Sequence, residues 1–209
     1  MLFSPSSRSV RLAFLVLMFQ LCAANAVAQD HFNEKGSGPS SVTSQLQAEL
    51  RSSLPFDDQR DFEESRRGFI AEPDSRQILA ANGRVVWDMT RYDFLLEGRE
   101  YDSIHPSLQR QATLNMNFGL YEIVPDFMYQ VRGFDVANMT LVKGDSGWIL
   151  FDVLLTSETA AAALALANEQ LGELPVRAVV YSHSHSDHFG GVRGVIIEQD
   201  VQSGLVQVI

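Results

Sequence analysis

The feature that most constrains this chain is a cluster of metal-binding side chains near residue 185. The segment His183-Ser184-His185-Ser186-Asp187-His188 holds three of the five histidines in the sequence. It follows residues 176–181, which have the composition of a buried strand, and it precedes Gly190-Gly191. Ligands of α/β proteins bind at the ends of sheet strands. The cluster therefore predicts a metal site at a strand end in an α/β sheet.

The spacing within the cluster suits two metal ions. In an extended or tightly turning segment, side chains two residues apart point the same way, so His183 and His185 can bind one ion. Asp187 and His188 are neighbours, and both can turn toward a second ion. Nitrogen and oxygen ligands without sulfur favour zinc, with manganese or iron as alternatives. Two zinc ions about 3.5–4 Å apart would share a water whose pKa falls to about 7, which provides hydroxide at neutral pH.

Turn and capping residues predict both helices and strands around the cluster. Asn82-Gly83 is typical of a hairpin turn, and residues 144–147 predict a second hairpin. Strands are expected at residues 78–80, 84–87, 120–124, 128–131, 137–143, 148–152, 176–181 and 205–209. Helices are expected near residues 42–51, over 57–67, from Pro106 to about 115, from Thr156 or Ser157 to 171, and from Gly190-Gly191 onward.

The remaining two histidines are isolated in the sequence, and neither is expected to bind metal. His31 lies close to the predicted mature N-terminus, and His105 precedes Pro106 at a predicted helix start. For each of them a surface or capping role is expected.

The first 28 residues have the composition of a secretory signal peptide. Arg8 and Arg11 form a basic region, residues 12–21 form an apolar run, and small residues follow up to Ala28. The run is shorter than the roughly 20 residues that span a bilayer. Cleavage after Ala28 would remove the only cysteine, Cys22. We therefore expect a periplasmic or secreted bacterial protein that is not an integral membrane protein after cleavage and has no disulfides.

The charge of the chain excludes nucleic acid as a partner. The formal net charge is −10, and removal of two arginines with the signal peptide makes it more negative. Nucleic-acid binding requires a basic surface. Exposed charges are screened beyond roughly 8–10 Å at physiological salt, and bound cations dominate the field at their site. An anionic small molecule therefore stays possible as a substrate.

The cluster and its surroundings resemble the metallo-β-lactamase superfamily. His-x-His-x-Asp-His followed by Gly-Gly, after an apolar strand, is the pattern of that superfamily, which implies an αβ/βα sandwich with a dinuclear site at one edge. The wider sequence is similar to the alkyl sulfatase branch. The similar segments are residues 67–71, 83–88, 129–140 and 181–195. The resemblance covers about residues 54–209.

The resemblance implies a fold and a ligand set. The expected fold class is α/β, a metallo-β-lactamase-like αβ/βα sandwich that is incomplete in this chain. His183 and His185 would bind one zinc ion, and Asp187 and His188 the other. Asp152-Val153 stands where the family usually has Asp-Pro, a loop change from which little effect is expected. The expected organisation is a signal peptide at residues 1–28, an exposed leader and extension at 29–75, and the N-terminal part of the fold at 76–209.

The resemblance also implies what lies outside these residues. The family takes its further metal ligands, its sulfate contacts, its dimerisation region and a sterol-carrier-like domain from sequence beyond residue 209. The expected complete protein is therefore longer and forms a homodimer.

These observations lead to one hypothesis with two alternatives. The hypothesis is zinc-dependent hydrolysis of a long-chain alkyl sulfate ester, such as dodecyl sulfate, to alcohol and sulfate by metal-bound hydroxide. A lactamase or lactonase of the same fold is one alternative. The other is an inactive, truncated metal-binding module, whose exposed apolar surface would need a partner.

Overall fold

The computed structural model describes residues 36–209, and Ser40–Ile209 form one compact unit. The predicted signal peptide, its cleavage site and His31 lie outside the described residues. The helices of the described part are α1 (Ser41–Ser53), α2 (Arg60–Ser65), α3 (Pro106–Leu114), α4 (Ser157–Leu171), α5 (Ser186–Phe189) and α6 (Glu198–Gln202), with 3-10 turns at Asp93–Glu97 and Val192–Gly194. Among residues 36–209, none of the helices has the length and apolar character needed to cross a bilayer.

Seven strands form one mixed sheet in the order β1-β4-β5-β6-β7-β8-β9. These strands are β1 (Phe69–Ala71), β4 (Gly119–Val124), β5 (Met128–Arg132), β6 (Met139–Gly144), β7 (Gly147–Phe151), β8 (Val176–Val180) and β9 (Gln207–Val208). Neighbours from β1 to β7 are antiparallel, whereas β7–β8 and β8–β9 are parallel. The remaining strands, β2 (Gln77–Leu79) and β3 (Val85–Asp88), form a separate hairpin.

The parallel pair of β7 and β8 determines where residues 183–188, the predicted metal-binding segment, lie. Helix α4 connects the two strands, and a crossover of this kind is required between parallel neighbours. Phe151 at the end of β7 is paired with Val180 at the end of β8. The residues that follow these two strands therefore emerge side by side at one edge of the sheet.

The core lies between helix α4 and one face of the sheet. Ala160, Ala163 and Ala167 are buried on one side of α4 with Leu166, at the spacing of an amphipathic helix. The side chain of Trp148 is fully buried, and its indole N–H donates to Asn168 Oδ1 at 2.8 Å. A buried indole requires such a partner, so this bond joins the sheet to the end of α4.

Most of the predicted elements are confirmed. The hairpin around Asn82-Gly83 and the β6–β7 hairpin form as expected. Helix α4 begins after Thr156, whose side chain accepts from Thr159 N–H in a capping box. His105 caps α3, because its Nδ1 accepts from Ser107 N–H at 3.2 Å. The capping role predicted for His105 is therefore confirmed. Strand β1, from the segment predicted as an extension, pairs with β4 in the sheet.

The helix predicted to open at Gly190-Gly191 is a short 3-10 helix, Val192–Gly194, whose N-cap residue is Gly191. Gly190 is the C-cap residue of α5. A Cβ on Gly190 would overlap the carbonyl oxygen of Leu155, and one on Gly191 would overlap that of Val153. The glycines therefore allow two backbone segments to touch, a requirement of the tertiary structure that local sequence does not reveal.

We predict that Gly194→Ala destabilises the protein by about 1–3 kcal/mol, because the new methyl group would overlap the carbonyl oxygen of Ser157 at the start of α4. Thermal or denaturant unfolding of the complete protein measures this change. Gly38→Ala is the control, since nothing lies within 4 Å of its Cβ position. Equal stability of the two variants would contradict the prediction.

Candidate metal centre

The predicted ligands lie at the sheet edge where β7 and β8 end. His183 and His185 belong to the segment between β8 and α5, and Asp187 and His188 lie in α5. His185 is the residue before α5 and has an extended backbone (φ −75°, ψ 141°). The segment therefore changes from extended to helical in its middle.

The structure places the first two histidines with their nitrogens together. His183 Nε2 and His185 Nδ1 lie 3.0 Å apart, and the two rings are inclined at 73°. At this distance the two nitrogens share a hydrogen bond, and a cation that displaced its proton could be bound by both.

Asp187 and His188 form a second pair of donors. His188 Nε2 lies 3.3 Å from Asp187 Oδ2. The ring centroids of His183 and His188 are 4.0 Å apart, so the second pair lies directly beside the first. The arrangement offers two adjacent pairs of nitrogen and oxygen donors.

Asp152 is a site residue that the sequence analysis did not identify, because it interpreted Asp152-Val153 only as a loop change. Its carboxylate accepts from Ser182 N–H at 2.8 Å, from Ser182 Oγ at 2.7 Å and from His188 Nδ1 at 2.8 Å. One signal in the sequence could have identified it. Asp152 is the acid directly after the strand that is the parallel neighbour of β8, so it must emerge beside the histidines.

Asp152 determines which nitrogens of two histidines remain free. His188 Nδ1–H donates to Asp152, which leaves Nε2 as the nitrogen that faces Asp187. Ser182 Oγ donates to Asp152 and lies 2.9 Å from His183 Nδ1, so it accepts from that nitrogen, and His183 Nε2 is left as the acceptor toward His185 Nδ1. A carboxylate that orients metal-binding histidines in this way is a recurring feature of zinc sites.

The pKa of the Asp152 carboxyl lies below its usual value. Burial of the side chain raises this pKa, but the hydrogen bonds from Ser182 N–H, from Ser182 Oγ and from His188 outweigh that effect. A carboxyl with a lowered pKa stabilises the fold at pH values above its usual pKa of about 4, and this stabilisation is lost as the pH falls through the lowered value. Asp152 is therefore an ionised acceptor at neutral pH.

The backbone after Asp152 is strained and closely bound to the metal-binding segment. Asp152 and Leu154 have left-handed conformations, with φ of 55° and 63°. Such conformations cost about 1–3 kcal/mol each and persist only where surrounding contacts enforce them. Val153 N–H donates to His188 O and Gly191 N–H to Leu154 O, both at 2.9 Å. These two bonds hold the strained segment against the ligand-bearing turn.

The donor set fits a divalent metal ion. Within residues 36–209, no group of three or more His, Cys, Asp or Glu side chains is arranged so that it could hold a metal ion. Zinc takes about four ligands in proteins. The side chains available as ligands at this edge are His183 with His185, and Asp187 with His188.

Residues 132–209 match the sequence profile of the metallo-beta-lactamase superfamily. This part of the chain belongs to that superfamily. The chain is 52% identical to an (R)-specific secondary-alkylsulfatase of a Pseudomonas species. The alignment has 169 residues and covers 81% of this chain. It is 40% identical over 204 residues to a linear primary-alkylsulfatase of a Pseudomonas species, which covers 97% of it.

The fold of this metallo-β-lactamase segment also matches a solved structure. The stereoselective inverting sec-alkylsulfatase Pisa1 from a Pseudomonas species superimposes with a TM-score of 0.77 at 52% identity over 82% of this chain. The expected α/β fold class and the resemblance to alkyl sulfatases are therefore confirmed. The chain spans 25% and 30% of the length of the two curated relatives, and 27% of the solved chain. The superfamily fold also indicates a metal cofactor.

We predict that Asp152→Asn weakens metal binding about 10–100-fold, because the new amide would face the N–H of His188 and the hydroxyl of Ser182. The dissociation constant is measured on the complete protein by competition with a chelator. Asp145→Asn, in the exposed β6–β7 turn, is the control and should bind metal as the wild type does. Unchanged affinity in Asp152→Asn would refute the role given to this carboxylate.

Proposed function

We propose that this chain contributes the N-terminal part of a zinc-dependent enzyme that hydrolyses long-chain alkyl sulfate esters to alcohol and sulfate. The observation that carries the proposal is the arrangement of two donor pairs around Asp152, in a chain 52% identical to an alkylsulfatase. The chain is similar both to a secondary-alkylsulfatase and to a linear primary-alkylsulfatase. We therefore propose an alkyl sulfate ester as the substrate class and leave primary and secondary esters both open.

Four side chains would hold the two metal ions. His183 Nε2 and His185 Nδ1 would bind one ion, and Asp187 Oδ2 and His188 Nε2 the other. We propose zinc because the donors are imidazole and carboxylate groups without sulfur. When bound, zinc would neutralise negative charge on the sulfate group and lower the pKa of water at the site to about 7.

The other residues of the site hold protons in fixed places. Asp152 accepts the Nδ1 proton of His188 and the hydroxyl proton of Ser182, and Ser182 accepts the Nδ1 proton of His183. In both rings Nδ1 thereby carries a proton, and Nε2 is the nitrogen that can act as a ligand. The lowered pKa of Asp152 keeps its carboxylate an acceptor for these bonds at neutral pH.

We predict that Asp187→Ala in the complete protein lowers sulfate release from dodecyl sulfate more than about 100-fold, because it removes an oxygen ligand of one metal position. Sulfate release is measured by ion chromatography at saturating zinc. Asp200→Ala, an acid of α6 outside the site, is the control and should retain activity.

Two outcomes would count against the assignment. If Asp187→Ala still releases sulfate at the wild-type rate, the metal-binding segment is not required for the reaction. Faster turnover of a chromogenic β-lactam than of dodecyl sulfate by the wild type would favour a lactamase of the same fold.

We also propose that the protein is exported, and that the complete protein forms a homodimer. The support for export is the basic, apolar and small-residue order of residues 1–28. A detergent-like ester is met outside the cytoplasm, which is consistent with export.

We predict that the mature protein in the exported fraction of its host begins at Gln29, after cleavage behind Ala28. N-terminal peptide sequencing by mass spectrometry measures the start, and intact mass under native conditions measures the oligomer. A mature chain that retains Met1 would refute export by this signal. A monomer would refute only the homodimer.

A further inference from the structure

A buried carboxylate outside the site contacts the strained segment that holds the metal-binding turn. Asp135 lies in the connection between β5 and β6, and only 6% of its surface is exposed. It belongs to residues 129–140, one of the segments similar to alkyl sulfatases. The site described above uses no atom of it.

Asp135 accepts hydrogen bonds from three donors. Its Oδ1 accepts from Ala137 N–H at 2.9 Å, and its Oδ2 accepts from Leu155 N–H at 2.7 Å and from the Thr159 hydroxyl at 2.9 Å. The carboxylate thus joins the β5–β6 connection to the residues after β7 and to the first turn of α4, about 20 residues further along the chain. Hydrogen bonds to a charged, buried acceptor are among the stronger ones in proteins.

The contact with Leu155 N–H fixes a segment whose backbone would not take this shape unaided. Leu154, directly before Leu155, has a left-handed conformation, as does Asp152. Strained residues of this kind keep their conformation only where neighbouring contacts enforce it. Asp135 provides such a contact through the N–H of Leu155.

The same strained segment contacts His188 at two places. Val153 N–H donates to the carbonyl oxygen of His188, and the Asp152 carboxylate accepts from His188 Nδ1. His183, in contrast, makes no direct hydrogen bond to Asp152 and is connected to it through Ser182, whose N–H and hydroxyl both donate to the carboxylate. A shift of residues 152–155 would therefore displace His188 more than His183.

We propose that Asp135 is a positioning residue for the metal position formed by Asp187 and His188. It acts through Leu155 N–H and residues 152–155, and it does not touch the metal or the substrate. The inference rests on the proposed function in so far as that function places an ion at Asp187 and His188. It adds a carboxylate outside the ligand set that determines how well this ion is held.

The test is a metal titration of the complete protein carrying Asp135→Asn. Asparagine retains the size of the side chain but removes its negative charge. Its NH2 group, which is a donor, must also face at least one of the three donors that now bond to the carboxylate. We expect one of the two binding steps for cobalt(II) or zinc, the step that Asp187→Ala also weakens, to lose about 10-fold or more in affinity, as for other residues behind metal ligands. The step assigned to His183 and His185 should change less than about 3-fold. The visible spectrum of the cobalt form reports a change in ligand geometry at the affected step.

Leu166→Ala separates positioning from a general loss of stability. Leu166 is buried on α4, two turns beyond Thr159, and its apolar side chain forms no hydrogen bond with Asp135. It should lower the thermal midpoint and leave both metal affinities unchanged at temperatures where the protein is folded. If Asp135→Asn behaves in the same way, Asp135 is purely structural and the proposal is overturned.

A second pair of variants tests the proposal if Asp135→Asn does not fold. Thr159→Val removes the hydroxyl that donates to Asp135, whereas Thr159→Ser retains it. We expect weaker binding at the Asp187–His188 step in Thr159→Val and recovery toward wild-type affinity in Thr159→Ser. Equal affinities in the two variants would overturn the proposal.

Hydrolysis of dodecyl sulfate by the wild type is measured separately. If the wild type binds two ions and releases no sulfate, the proposed function fails, and the metal titrations still decide the role of Asp135. If the wild type binds no metal ion, both fail.

Discussion

The hydrogen bonds of the Asp152 carboxylate join the residues that follow β7 to the residues that follow β8, at the edge of the sheet where the predicted metal ligands lie. Strands β7 and β8 are parallel and end in register at Phe151 and Val180, so the chain leaves both strands at the same height. Asp152 follows one strand, and Ser182 and His188 follow the other. The carboxylate accepts from both of these residues, and its lowered pKa keeps it an acceptor at neutral pH. Without this link, the two strand ends would place the histidines near each other without orienting them.

This arrangement requires backbone strain in the residues after β7. Two left-handed residues, Asp152 and Leu154, turn the backbone so that Val153 and Leu154 can bond to the metal-binding turn. Gly190 and Gly191 permit that approach because any Cβ there would overlap a carbonyl oxygen. A site that depends on backbone contacts of this kind is rigid, since neither segment can move without losing several bonds at once.

The sequence predicted the helices and strands better than it predicted the contacts that support the histidine cluster. Hairpin turns, the capping box at Thr156 and the cap at His105 are local patterns, and local patterns can be read from adjacent residues. Asp152 and Asp135 are single acids whose partners, apart from Ala137, lie 20 to 36 residues away along the chain. Their roles follow from the parallel pairing of β7 with β8 and from the packing of α4. The close approach at the glycine pair was missed for the same reason, because its neighbours are Val153 and Leu155 and not the next residues along the chain.

A change of backbone conformation within six residues is what divides the four donors into two pairs. A continuous strand would place His183, His185 and Asp187 on one face and His188 on the other. A continuous helix would bring His183 together with Asp187 and turn His185 away from both. The segment instead is extended up to His185 and helical from Ser186, so that His183 meets His185, and Asp187 meets His188. The bond from Val153 N–H to His188 O lies within the helical half and holds it against the end of β7. The strained residues after β7 therefore contact the helical half of the segment, which carries Asp187 and His188.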